Sequence, residues 1–86
     1  MVAPTAAGLR TALKHLRAGD WAKAHPLVQE DASPLGCWAH GIVHMMEGDL
    51  GNARYWYRKA QRSFPASVDP KAEVAALAAA VKDAAA

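Results

Sequence analysis

A residue pair typical of one helix ending and the next beginning occurs twice in the chain, 29 residues apart. The two pairs are Gly19-Asp20 and Gly48-Asp49. Glycine ends a helix because it adopts the left-handed conformation without steric cost, and aspartate caps the next helix by accepting hydrogen bonds from its free amides. The same offset aligns Ala24 with Ala53. The sequence therefore predicts two related helix-turn-helix units.

Two apolar stripes follow the same offset. The first unit carries Leu9, Leu13 and Leu16, and the second carries Trp38, Ile42 and Met45. Spacings of three and four residues place each set on one helix face. Two repeats are fewer than the three or so that usually form a self-sufficient stack. We therefore predict that these six residues stay partly exposed and bind a protein or peptide partner, or a second copy of the chain in a homodimer.

Start and stop signals divide the chain into five helices. Thr5 is expected to cap the first helix, Ser33-Pro34 to start the third, and Asp69-Pro70 to start the fifth. Pro26 lies inside the second and predicts a kink or a late start, because proline lacks the backbone N–H. We expect an all-α single domain over 1–86, with hairpin 1 over 5–31, hairpin 2 over 34–64 and a C-terminal capping helix over 70–85.

Composition supports this fold class and narrows the classes of partner. The chain has 21 alanines but only nine β-branched residues, a ratio that favours helix over sheet. A net charge of +2 gives little reason to expect nucleic acid. No stretch reads as a secretory signal or a membrane span, so we expect a cytoplasmic protein with no membrane partner. A single cysteine, Cys37, excludes an internal disulfide framework.

Residues 34–67 resemble a tetratricopeptide repeat. Gly41 occupies the position of the small residue in the first helix, and Pro65 that of the closing proline. The run over 52–60, with its Trp-Tyr pair, resembles the Sel-type variant. The resemblance implies a helical stack that binds partners rather than catalyses a reaction. We expect Tyr57 to fill the space between the third and fourth helices against Gly41.

Four residues are candidates for a metal site. His40 and His44 are four residues apart on the third helix, a spacing that lets both imidazoles reach one ion. Glu47 could add a carboxylate, and His25 could approach from the neighbouring helix. The alternative is that these histidines only pack between helices. Cys37 is expected to be a buried thiol rather than a nucleophile, because reactivity requires access and a lowered pKa.

Two functions follow from these patterns. The first is a protein-protein interaction module or small scaffold, without enzymatic activity or a cofactor, acting through its apolar stripes. The second is a small metal- or ligand-binding protein that uses His40 and His44 with His25 or Glu47.

Overall fold

The computed structural model describes residues 6 to 85, and these form an all-α fold. Its helices are α1 (Ala6–Arg17), α2 (Trp21–Val28), α3 (Pro34–Glu47), α4 (Leu50–Lys59) and α5 (Pro70–Ala85). No strand occurs among the described residues, as the composition predicts. Within the same range, every helix is too short or too polar to cross a bilayer. Thr5, the expected cap of α1, lies outside the described residues.

Both Gly-Asp pairs act as the sequence predicts. Gly19 and Gly48 have φ values of +79° and +91°, which lie in the left-handed region. After each glycine the chain turns directly into the next helix. Asp20 accepts a hydrogen bond from the backbone N–H of Lys23, and Asp49 accepts one from that of Asn52. These turns pair α1 with α2 and α3 with α4.

One helix boundary differs from the expected one, and one of the two alternatives for the second helix is removed. The fourth helix was expected to reach Phe64 but ends at Lys59, because Gln61 adopts a left-handed φ of 60°. The amides of Gln61 and Arg62 then donate to the carbonyls of Arg58 and Tyr57, which closes the helix end as a glycine would. The second helix begins at once after Asp20 and contains its proline, so it does not start late.

The third helix lies at the centre of the protein and contacts all four other described helices. Every residue from 36 to 45 is buried. Gly41 permits the close approach of α3 to α4, because a Cβ atom there would lie 2.6 Å from Tyr57 Cδ1. Tyr57 is 1% exposed, which confirms that it fills the space between these helices.

Both apolar stripes are buried in the folded chain, and the expectation that they stay partly exposed is wrong. Helix α5 packs against α1 and α3. The six stripe residues have exposed fractions of 7% or less: Leu9, Leu13, Leu16, Trp38, Ile42 and Met45. Val74, Leu77 and Val81 supply the apolar seam of α5. The place that the sequence assigns to a partner is thus occupied by the chain's own last helix.

A carboxylate holds α5 in this position. Glu73 accepts hydrogen bonds from Trp38 Nε1 at 3.2 Å and from the Tyr57 hydroxyl at 2.5 Å. Burial, together with this hydrogen bond, raises the pKa of Tyr57. One side chain of α5 therefore satisfies polar atoms from both α3 and α4.

Replacement of Gly41 by alanine should destabilise the protein by about 1–3 kcal/mol, because the added methyl group meets the Tyr57 ring in a filled core. Gly51→Ala is the matched control, since a Cβ atom there meets only Asp49 Oδ1, at an ordinary contact distance of 4.0 Å, and alanine favours helix. Urea denaturation of both variants measures the difference. Equal stability of the two variants would show that α3 and α4 do not meet at Gly41.

Candidate metal centre

Three of the four histidines converge between α2 and α3. His25 comes from α2, while His40 and His44 come from successive turns of α3. One ring nitrogen from each lies within 4.8 Å of the other two. The structure therefore brings together the three histidines that the sequence names as candidate ligands. His15, the fourth histidine, lies on α1 and does not belong to this group.

Local structure accounts for this convergence. A spacing of four residues places His40 and His44 on one face of α3. Their ring centroids lie 4.9 Å apart, with the planes 25° from parallel. Helix α2 packs against α3. As a result, the ring centroid of His25 lies 5.0 Å from that of His40 and 5.4 Å from that of His44.

His25 and His40 are in hydrogen-bond contact through one ring nitrogen of each. His25 Nε2 lies 3.2 Å from His40 Nε2. Between neutral imidazoles, this contact requires one ring to donate its N–H to the other. Two nitrogen ligands of one tetrahedral zinc ion, each about 2.0–2.1 Å from the metal, are themselves about 3.3 Å apart. The pair is therefore already at the separation that a shared metal ion requires.

Glu47 orients the third ring rather than joining the cluster as a ligand. His44 Nδ1 donates a hydrogen bond to Glu47 Oε1 at 2.6 Å. If His44 is neutral, this leaves its Nε2 as the nitrogen with a free lone pair. A carboxylate that fixes the tautomer of a histidine in this way commonly accompanies metal-ligating histidines.

His40 is the most deeply placed of the three rings. It is 4% exposed and stacks on Trp56 of α4, with ring centroids 3.9 Å apart and planes at 14°. Its Nδ1 is buried and has no hydrogen-bond partner among the described residues. Burial first, and then the neighbouring His44 and His25, lower the pKa of His40 to about 4. At neutral pH this ring is uncharged and able to ligate a cation.

A second group of possible ligands has a simpler explanation. His44, Glu47 and Asp49 also offer ligand atoms within 4.8 Å of one another. However, Glu47 and Asp49 are exposed, and Asp49 already caps α4 through the amide of Asn52. This group is the end of one helix and the start of the next.

The remaining chemical candidate is a packing residue. Cys37 is 1% exposed, and its thiol lies 3.7 Å from the carbonyl oxygen of Asp31. Burial raises the pKa of Cys37, which disfavours the thiolate. The buried thiol is as the sequence analysis expected.

Sequence reasoning did not assign Trp56 to the site. A signal for it exists, because the predicted contact between Gly41 and Tyr57 fixes how α3 faces α4. The two stacked residues come immediately before this pair in the sequence: His40 precedes Gly41, and Trp56 precedes Tyr57. The pairing of the first two therefore suggests the pairing of their neighbours.

Comparison with protein-family models, with curated proteins and with solved structures finds no match to this chain. The resemblance to tetratricopeptide repeats therefore stays an expectation from residues 34–67. The interpretation of the histidine cluster depends on its geometry alone.

Lowering the pH should destabilise the metal-free protein through His40. Its pKa falls from a usual 6.5 to about 4 on folding, so between these values the unfolded chain binds a proton that the folded protein does not. Stability is therefore lost as the pH falls, by about 2 kcal/mol between pH 7 and pH 5. Urea denaturation in the presence of a chelator measures this slope.

Two variants isolate the contribution of His40. His40→Gln should flatten this part of the pH dependence, whereas His15→Gln, which changes a histidine outside the cluster, should leave it intact. A slope that is unchanged in His40→Gln would contradict the assignment.

Proposed function

We propose that this protein binds one divalent transition-metal ion through His25, His40 and His44, without catalysing a reaction. The observation that carries the proposal is the convergence of three imidazoles, two of which face each other through Nε2 atoms 3.2 Å apart. Imidazole nitrogen is a ligand suited to zinc, copper, iron and nickel. Zinc is the first ion to test, because three histidine ligands are a known zinc set.

Burial supports binding over simple packing. Polar atoms in a protein core are normally paired, and an orphaned one costs about 1–3 kcal/mol. Here His40 and His44 lie on the part of α3 that is buried from residue 36 to residue 45, and one hydrogen bond joins His40 Nε2 to His25 Nε2. A cation bound by these two nitrogens would replace that hydrogen bond by two metal–ligand bonds.

The cluster lies beside partly exposed side chains. His25 is half-buried, and the Glu47 side chain is 33% exposed. This is the side from which we infer that a metal ion reaches the cluster. Three protein ligands leave one of four tetrahedral positions for water or for a ligand from elsewhere.

Zinc titration should give one ion per chain for protein purified without a histidine tag. His25→Gln, His40→Gln and His44→Gln should each weaken binding by at least about tenfold, because each removes a ligand. Glu47→Gln should weaken it by about 10–100-fold through loss of the carboxylate that orients His44. Competition against a chromophoric chelator measures these affinities, and circular dichroism verifies that each variant is folded.

His15→Gln is the matched control and should bind zinc as the wild type does. The proposal fails if the wild-type protein does not retain zinc against the chelator. It also fails if the four histidine variants lose affinity equally, since this result would indicate binding at scattered surface histidines.

The interaction module predicted from the sequence requires another surface. The six stripe residues contact a partner only if α5 leaves them, because α5 buries them in the folded chain. The groove between α1 and α5 offers such a surface.

A further inference from the structure

The groove between α1 and α5 is apolar at its floor and basic at both rims. Two cavities, of about 510 Å³ and 610 Å³, lie along it. They share Arg17 and Ala78 as lining residues, so they lie next to each other along the groove. Leu13, Leu16 and Val74 belong to its apolar lining.

Half of the chain's ten Lys and Arg residues line this groove. They are Arg10, Lys14 and Arg17 from α1, with Lys71 and Lys82 from α5. No Asp or Glu lines either cavity within the described part of the chain. None of the five cations has a salt-bridge partner in that part either. The chain has a net charge of only +2, but unpaired positive charge is concentrated along this apolar groove.

We propose that this groove binds an acidic amphipathic helix of a partner protein. The apolar face of such a helix would lie on the groove floor, with carboxylates on both flanks facing the two basic rims. From Lys71 to Lys82 the groove follows about 16 Å of α5, which is the length of roughly three helical turns. This inference is independent of the histidine cluster, which involves α2 and α3.

The shape of the groove favours a helix over an anionic membrane. A flat bilayer is bound by large apolar side chains that protrude between cations. The exposed large apolar residues of the described chain are Leu27, Tyr55 and Val68, and none of them lines the groove. Leu13 and Val74 are instead 4% and 6% exposed, at the bottom of a concave surface. The apolar face of a helix is convex and fits such a surface, whereas the flat surface of a bilayer does not.

The test uses a fluorescent 14-residue amphipathic peptide with a leucine stripe flanked on both sides by glutamate. Fluorescence anisotropy should show saturable binding at low ionic strength, weakened at least tenfold in 0.5 M salt. Peptides with glutamine or lysine in place of glutamate should bind at least tenfold more weakly than the glutamate peptide.

Two variants in the groove, each with a matched control variant outside it, separate this groove from general attraction to a basic protein. Lys14→Glu should weaken peptide binding at least tenfold, whereas Arg58→Glu, an exposed change on α4, should alter it less than twofold. Ala78→Phe fills the floor where the two cavities meet and should also weaken binding, while Ala79→Phe on the exposed side of α5 should not.

Three results would overturn the proposal. Equal losses in Lys14→Glu and Arg58→Glu would show only general charge attraction. Unchanged peptide binding in Ala78→Phe would show that the apolar floor of the groove does not contact the peptide. Tighter binding to phosphatidylglycerol vesicles than to the peptide, lost in Lys14→Glu, would assign the groove to an anionic lipid surface.

Discussion

The burial of α3 around its whole circumference is the constraint on which the rest of the structure depends. Residues 36–45 of α3 have no face for solvent, so each polar side chain in this stretch needs a hydrogen-bond partner from the protein itself. Trp38 does so through Glu73, and His44 through Glu47. His40 does so only in part, through His25. The histidine cluster is thus a direct consequence of placing imidazoles on a central helix.

The fifth helix explains how so short a chain completes its core. Two helical hairpins leave the faces of α1 and α3 open, and α5 closes both. Glu73 fixes its position by accepting hydrogen bonds from two aromatic side chains of the hairpin α3–α4. The packing of α5 also creates the groove between α1 and α5. The small side chains of Ala75 and Ala78 line it and leave it open between the basic residues. Helix α5 therefore buries the two apolar stripes and, with α1, forms the groove.

Local signals predicted most of the fold, and long-range contacts account for what they missed. Turn residues and helix spacing were sufficient for the five helices, and the resemblance of residues 34–67 to a tetratricopeptide repeat led to the contact of Gly41 with Tyr57. The end of α4 was missed because Gln61, which adopts the left-handed conformation there, is not a residue typical of that position. The sequence predicts α5 as a capping helix, but the full extent of its closure was missed because Glu73 meets Trp38 across 35 residues. The sequence did not decide whether His25 lies near His40 and His44, because this depends on how α2 packs on α3.

X-ray absorption spectroscopy of the zinc-loaded, untagged protein tests the central claim most directly. The account predicts only nitrogen or oxygen ligands at about 2.0–2.1 Å, with outer-shell scattering from three imidazole rings. It also predicts that this pattern loses one ring in His40→Gln and is unchanged in His15→Gln. A sulfur ligand at about 2.3 Å, which only Cys37 or a methionine could supply, would contradict the account. So would scattering from one imidazole or none.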